Sequence, residues 1–559
     1  MTAQHDPQAS PASVAALALL AQLHAQGLRD VVVSPGSRSQ ALALAAAQLA
    51  DEGLLRLSVR MDERVAGFLA LGLAVGTERP VAVVTTSGTA VANLHPAVLE
   101  ARHAGVPLLL LTADRPDEAR GIGGNQTTIQ PGLFAPAVLA EWDVPAPVAG
   151  ADLAPLRALA AEAYATASRG PGPVQLNLAY REPLSSAGLP TPGAEPIDVP
   201  QPEPDPAFVR LAPEEGTVVI AGADAGPRAE QLAHELAAPL LAEVSSGARF
   251  GPNLVGAYRE LLSDAEFGGR VRRAIVLGHP TLSREVPALL ARDDVDVIVE
   301  RGRAGEDFRP SPHAVVVDEV RVLEAAPEPW MRSWPGRWAR ASRALLEREV
   351  AAPDLAAARS LDKEVRSRFA REELAIARRP VDRRSLVEGV WAATWPHDRL
   401  VLGASRLIRV ADGAVPGKKL VVHANRGLAG IDGTIATAIG IATAQQADAG
   451  PGVTRVLLGD LALLHDAGAL LLPPGEPRPR IQVIVGDDRG GTIFDGLEVA
   501  ASAPADAFER VLRTPHEVDL AALAAAYGWK HVRVAHQRDL DTALTDTAGP
   551  LLIEVPLPR

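Results

Sequence analysis

The sequence predicts a three-domain α/β protein, each domain a mostly parallel sheet flanked by helices. Three observations carry this. The chain has 559 residues, too many for one hydrophobic core and suited to about three. Short apolar runs alternate with longer helical patterns in three successive blocks, which implies parallel strands joined by helical crossovers. Two stretches of different composition separate the blocks. One is the proline-dense run from Pro190 to Pro206, expected to be extended and exposed. The other is a charged helical stretch from about Trp334 to Arg379. The division implied is 1–185, a linker 186–208, 209–333, a helical connector 334–379, and 380–559.

Composition narrows the class. Hydrophobic residues make up 47% and charged residues 22%, as in ordinary globular proteins. The formal charge of −13 argues against a general nucleic-acid binder and makes any local cluster of arginines notable. The absence of cysteine excludes disulfides and thiolate metal sites, and it fits a reducing compartment. No apolar run reaches membrane-spanning length, and the N-terminus lacks the basic region of a signal peptide, so a cytoplasmic location is expected.

In the first block, strands are expected near Asp30–Val33, Val81–Thr85, Pro107–Thr112 and Val174–Leu178. The first strand leads into Ser34-Pro35-Gly36-Ser37-Arg38-Ser39-Gln40. Ser37 and Gln40 have capping-box spacing, so a helix should start here. Its free amides would attract an anion, and Arg38 adds a charge-assisted donor. This turn is not the Gly-x-Gly-x-x-Gly of a nicotinamide-binding fold. Next comes Asp62-Glu63-Arg64, followed by a helix in which small and apolar residues alternate, a pattern for tight packing. The turn Ser87-Gly88-Thr89-Ala90 follows the next strand. Thr112-Ala113-Asp114-Arg115-Pro116 and the loop Gly123-Gly124-Asn125-Gln126 then place Arg115 and Gln126 on the same rim as Arg38.

The second block should hold strands near Thr217–Ala221, Pro239–Val244, Ala274–Leu277, Asp296–Val299 and Ala314–Val317. The third should hold them near Leu400–Leu402, Lys419–His423, Val453–Leu458, Ile481–Val485 and Leu551–Val555. Two of these strands end in acidic turns, Gly459-Asp460-Leu461 and Asp487-Asp488-Arg489-Gly490-Gly491. Asp460 and Asp488 stand 28 residues apart, enough for one strand–helix–strand crossover. Adjacent parallel strands would bring both carboxylates to one rim, where open α/β sheets bind ligands. Hard oxygen ligands beside a glycine-rich turn suit a magnesium ion carrying a diphosphate.

These two acidic turns resemble the cofactor motif of thiamin-diphosphate enzymes. Glu63, its small-residue helix, the next strand and Ser87-Gly88-Thr89-Ala90 resemble the pyrimidine-binding domain of the same class. The resemblance narrows further, to the family of 2-succinyl-5-enolpyruvyl-6-hydroxy-3-cyclohexene-1-carboxylate synthases of menaquinone biosynthesis. It is carried by Ser34-Pro35-Gly36-Ser37-Arg38-Ser39, Asp62-Glu63-Arg64, Thr86 to Leu94, Thr112 to Pro116, Asn125-Gln126, Gly403-Ala404-Ser405, Arg409, Asn425 to Gly433 and Gly490 to Phe494. These motifs span nearly the whole chain.

The resemblance implies decarboxylation of 2-oxoglutarate, followed by carbon–carbon bond formation with isochorismate. It implies thiamin diphosphate and Mg2+ or Mn2+ as cofactors, since oxygen ligands do not decide between the two metals. It assigns Glu63 to the pyrimidine N1′, where it favours the imino tautomer needed for cofactor activation. A shifted pKa suits a buried carboxylate in that role. It assigns Ile431 to the wedge that bends the cofactor. Asp460, Asp488 and the Gly490 carbonyl go to the metal, and Ser405, Arg426, Ile493 and Phe494 to other cofactor contacts. Asp488 stands where the class usually has asparagine, and aspartate has the same reach. Ser37, Arg38, Arg115, Gln126, Arg284, Ser405, Arg409 and Arg426 go to the substrates, whose four carboxylates require local arginines. Arg409 and Arg426 are expected on loops after third-block strands, holding 2-oxoglutarate, with Arg38 and Arg115 holding isochorismate. Arg284 is preceded by Ser283, where the family often has lysine. The family also implies a homodimer or dimer of dimers, with sites shared between subunits. An acetolactate synthase-like carboligase and a non-catalytic relative remain alternatives.

Overall fold

A computed structural model describes residues 9–186, 188–200, 206–303, 307–346, 354–447 and 450–559. Residues 201–205 of the proline-dense stretch and 347–353 of the charged stretch lie outside the described residues.

The first sheet contains β1 (Asp30–Val33), β2 (Arg56–Val59), β3 (Val81–Thr85), β4 (Leu108–Asp114), β5 (Glu141–Val144) and β6 (Pro173–Ala179), in the order β2-β1-β3-β4-β6-β5. A two-stranded ladder pairs β7 (Phe208–Leu211) with β13 (Glu319–Val322). Between them in sequence lie β8 (Thr217–Ala221), β9 (Leu240–Ala242), β10 (Arg273–Leu277), β11 (Asp296–Glu300) and β12 (Val315–Val317), ordered β12-β11-β10-β8-β9. The last sheet contains β14 (Arg399–Leu402), β15 (Val421–His423), β16 (Thr454–Gly459), β17 (Ile481–Asp487), β18 (Lys530–Arg533) and β19 (Leu551–Pro556), ordered β15-β14-β16-β17-β19-β18. Every ladder between these strands is parallel.

The central strands β4 and β17 are buried along their whole length, because helices cover both faces. Three strands escaped the sequence pattern: β2, β5 and β18. All three are sheet edges with half-exposed residues, so no continuous apolar run marks them. The sequence pattern also misses the β7–β13 ladder, which is short and buries only Leu211 and Val320.

The first and last sheets share one topology, strand for strand. Their equivalent helices, Glu63–Thr77 between β2 and β3 and Thr434–Gln446 between β15 and β16, pack against each other. Residues 65–74 of the first and 434–442 of the second are buried on every side. Glycines allow the close approach. A Cβ on Gly72 would lie 2.0 Å from the Thr437 carbonyl oxygen, and one on Gly440 would lie 2.3 Å from that of Leu69. One apolar core therefore runs from Val32 and Val83 through Phe68, Ile435 and Ile439 to Val456 and Val483.

The middle sheet docks on the last through a buried polar network. Arg249 donates to the carbonyls of Ala242, Asp412 and Val415, and Asp412 accepts from Val244 N–H, the Tyr258 hydroxyl and Arg259. Helix Trp330–Leu346 belongs with the middle sheet, because Trp334 and Trp338 are buried beneath it and Trp334 Nε1 donates to the Thr217 carbonyl.

Candidate functional site

The duplicated topology puts the motifs in corresponding places. Turns after β1 and β14 carry Ser34–Arg38 and Gly403–Ser405. The turn after β3 carries Ser87-Gly88, and at the equivalent place Gly459 ends β16 and Asp460 opens the next helix. Glu63 and Thr434 open the equivalent paired helices.

The acidic centre sits between β16 and β17. Their register pairs Gly459 with Gly486, so Asp460 is level with Asp487. Acidic ligand atoms of Asp460 and Asp487 and a ring nitrogen of His516 all lie within 4.8 Å of one another. Asp488, next along the chain, also acts on Asp460 through its charge. Its Oδ2 takes two donors, Arg383 at 2.7 Å and the Thr492 hydroxyl, which leaves Oδ1 clear of these bonds. Asp487 Oδ1 accepts Arg489 N–H at 3.1 Å. The Gly490 carbonyl accepts from Thr492 N–H, and Gly490 N–H donates to Asp460 at 2.9 Å. Among the described residues the ligand atoms that converge are those of Asp460, Asp487 and His516, while Asp488 adjoins them and Gly490 meets Asp460 through its N–H. His516 had no sequence signal, because it lies in a loop remote from both turns.

Burial, then the charge of Asp488, pushes Asp460 up to about 6. Asp460 is also hydrogen-bonded by Leu461 N–H at 2.7 Å. Arg489 lies 4.0 Å from Asp487, and Arg383 meets only one oxygen of Asp488. Three largely buried carboxylates so thinly compensated fit a divalent cation.

Glu63 is half-buried, at the first position of a helix whose N-cap, Asp62, accepts from Arg64 and Val65 N–H. Arg64 reaches His465 in the last block, with a 2.7 Å bond to its carbonyl. The loop 425–433 holds Arg426 and Ile431. It ends at Gly433, whose φ of +60° and position against Phe68 exclude a side chain, since a Cβ would lie 1.9 Å from the ring. Ile431 is 37% exposed and Leu428 53%. Ile493 and Phe494 lie half-buried in the short helix Thr492–Gly496.

On the first sheet's rim, Arg38 is buried. It donates to the Tyr180 carbonyl at 3.0 Å, and its N–H donates to the Thr86 hydroxyl. Gln126 and Ser87 exchange hydrogen bonds, and Arg115 donates to the Asn125 carbonyl at 3.0 Å. Arg38, Arg115 and Gln126 are thus brought together through the Thr86-Ser87 turn. Ser37 is exposed, and the expected capping box is not formed. The helix starts at Gln40, whose side chain donates to the Ser37 carbonyl instead.

Ser405 caps helix Arg406–Ala414 through Leu407 N–H. Arg409 lies inside that helix and not on a loop, because the helix starts directly after Ser405. It is exposed, and its charge lies near enough to act on Arg426. Arg426 lies on the loop as expected, 8% exposed. Its Nε and one terminal nitrogen donate to the Thr281 hydroxyl at 2.9 and 2.7 Å. Thr281, from the middle block, was missed by sequence. Arg284 follows it, exposed, just before helix Glu285–Leu290.

Comparison with known proteins fits this geometry. The family model described as "Thiamine pyrophosphate enzyme, N-terminal TPP binding domain" matches residues 14–134. A 2-succinyl-5-enolpyruvyl-6-hydroxy-3-cyclohexene-1-carboxylate synthase from Leifsonia xyli subsp. xyli is 59% identical, covering 98% of this chain and 97% of its own. That of Clavibacter michiganensis subsp. michiganensis is 54% identical over the same shares of each chain. The chain belongs to the 2-succinyl-5-enolpyruvyl-6-hydroxy-3-cyclohexene-1-carboxylate synthase family. Benzoylformate decarboxylase from Polynucleobacter necessarius superposes with a TM-score of 0.66 over 99% of both chains at 16% identity, so this synthase-family member shares its fold. No helix among the described residues is long and apolar enough to cross a membrane.

Proposed function

We propose that the protein decarboxylates 2-oxoglutarate and adds the resulting succinyl carbanion equivalent to isochorismate, giving 2-succinyl-5-enolpyruvyl-6-hydroxy-3-cyclohexene-1-carboxylate. The observation that carries this reading is the pairing of an acidic centre on the last sheet with arginine-bearing loops, in a chain related end to end to these synthases. An acetolactate synthase-like pocket for pyruvate would be apolar where this chain offers Arg38, Arg115, Arg409 and Arg426. A non-catalytic relative would not need Glu63, Asp460 and Asp488 together.

Thiamin diphosphate, when bound with Mg2+ or Mn2+, supplies the carbanion chemistry. Asp460, Asp488 and the Gly490 carbonyl hold the metal, and Asp487 and His516 flank Asp460. Glu63 holds the proton at the pyrimidine N1′. Ile431 would be the wedge against the cofactor, and Ser405, Arg426, Ile493 and Phe494 would make its other contacts. Arg409 and Arg426 bind the carboxylates of 2-oxoglutarate, and Arg284 is assigned to the substrates with them. Arg38, Arg115, Ser37 and Gln126 orient isochorismate. The division follows the blocks, with 1–185 as the pyrimidine-binding domain and 380–559 as the diphosphate-binding domain.

The working unit is a homodimer, or a dimer of dimers. Met61 and Ile122 are each 74% exposed and Ile129 is 81% exposed, all beside first-block site motifs, while Ile431 and Leu428 stand uncovered on the last block. A second copy covers these apolar residues and completes the site.

The two half-reactions separate the arginines. Removing one charge-assisted hydrogen bond from a largely buried pocket costs about 1.5–3 kcal/mol, roughly ten- to two-hundred-fold in affinity. Arg38→Ala weakens isochorismate use by that factor and leaves single-turnover carbon dioxide release from 2-oxoglutarate close to normal. Arg409→Ala impairs that release. Equal damage to both steps by both variants would show that the pocket is not divided this way.

A further inference from the structure

Three buried carboxylates, one from each block, anchor loop 425–433, the helix turn that follows it and the middle-block segment that Arg426 contacts. Each accepts two consecutive backbone N–H groups. Glu100, on helix His95–Ala104 of the first block, accepts from Gly427 at 2.7 Å and Leu428 at 2.8 Å. Asp466, after helix Asp460–His465, accepts from Ile435 at 2.7 Å and Ala436 at 3.0 Å, in the first turn beyond the loop. Glu243, just beyond β9, accepts from Thr281 at 2.8 Å and Leu282 at 2.6 Å. The Thr281 hydroxyl in turn receives the two Arg426 donors.

All three carboxylates are at most 4% exposed. Burying a carboxylate is costly even when it is hydrogen-bonded. Burial pushes all three up, Glu243 to about 8 and Asp466 to about 7. Gly427 and Gly433 pack closely on the first block, while Leu428 and Ile431 are exposed in the single chain. Two of the six N–H donors, Gly427 and Leu428, belong to the loop itself, two open the helix that follows it, and two, Thr281 and Leu282, fix the middle-block residue that Arg426 contacts. Arg426 spends Nε and Nη2 on Thr281, so its remaining terminal nitrogen is aimed by that anchor.

We propose that Glu100, Glu243 and Asp466 are positioning residues that fix loop 425–433, and through it hold the Arg426 guanidinium where it engages the carboxylate of 2-oxoglutarate. This rests on the substrate reading given above. The carboxylates touch neither substrate nor cofactor and act through backbone amides and Thr281.

The oxygens used make the proposal sharp. Glu243 spends one oxygen, Oε1, on both of its N–H donors, so glutamine keeps the acceptor. Glu100 spends both oxygens, one on each donor, so glutamine loses one. Steady-state kinetics of the thiamin diphosphate- and magnesium-loaded enzyme should therefore separate the variants. Glu243→Ala and Glu100→Gln should raise the KM for 2-oxoglutarate about tenfold or more, with kcat within about threefold. Glu243→Gln should restore KM to within about twofold of wild type. Adding Glu243→Ala to Arg426→Ala should raise KM no further than Arg426→Ala alone, because the two act through one contact.

A falling kcat and melting temperature with unchanged KM would overturn the proposal, as would failure of Glu243→Gln to rescue. If Arg426→Ala itself leaves KM unmoved, the substrate reading fails, and amide exchange by mass spectrometry across 425–436 then decides the positioning role. Faster exchange in Glu100→Gln and Glu243→Ala supports it, and unchanged exchange overturns it.

Discussion

Glu63→Gln should bind thiamin diphosphate and metal as the wild type does, yet turn over roughly 10²–10⁴ times more slowly, the usual worth of positioned acid–base catalysis. Glutamine keeps the shape and a hydrogen-bonding side chain. It cannot hold the proton equilibrium at the pyrimidine nitrogen. The acidic centre around Asp460 lies on a different sheet and is untouched by the change, so cofactor retention, measured by mass analysis after gel filtration, stays normal. Near-normal turnover would show that another carboxylate does this work. In a single chain Glu63 is only half-buried, which the shared-site reading explains by a second subunit closing over it. Mixing inactive Glu63→Gln with inactive Asp460→Ala under conditions of subunit exchange should then restore about a quarter of wild-type activity. About half the dimers are mixed, and each carries one intact site. No recovery despite proven exchange would count against shared sites.

The second large effect separates two neighbouring aspartates. Asp488→Ala should raise the magnesium concentration for half-maximal activation by roughly 10²-fold or more, above the tenfold to hundredfold typical of outer-shell changes. Asp488→Asn keeps an oxygen of the same reach and should bring metal activation back to within about tenfold of wild type. Both variants weaken the pair with Arg383 and so lower the melting temperature, which separates stability from metal capture. Asp487→Ala, beside the ligands, should shift metal activation by no more than about tenfold. The opposite pattern, with the larger metal dependence on Asp487, would move the ligand set to the Asp460, Asp487 and His516 cluster.

That acidic centre shows how far the sequence carries. Strand ends with acidic turns were legible because buried parallel strands are continuous apolar runs, and the residue after such a run lies at the ligand-binding rim. That Asp487 also comes level with Asp460 depends on register, set by hydrogen bonding between strands distant in sequence. Edge strands β2, β5 and β18 were illegible because they are half-exposed; β5 and β18 carry Glu141, Asp143, Lys530 and Arg533 in place of an apolar run. The duplicated topology of the first and last sheets was equally hidden, since it survives in strand order and helix pairing without a sequence repeat. Arg38, Glu63, Arg426 and Asp460 stood out because they sit in distinctive local motifs at the ends of strands and the starts of helices. Glu100, Glu243, Thr281, Asp466 and His516 did not, because each is an ordinary residue in an ordinary helix or loop until folding brings it to the site.

The central claim is the reaction. Purified protein with thiamin diphosphate and magnesium should be given 2-oxoglutarate labelled at its first carbon, pyruvate in equal amount, and isochorismate. The account predicts labelled carbon dioxide released one for one with a product whose mass is that of 2-succinyl-5-enolpyruvyl-6-hydroxy-3-cyclohexene-1-carboxylate, with pyruvate left unconsumed. Consumption of pyruvate in preference to 2-oxoglutarate by a wide margin would contradict it.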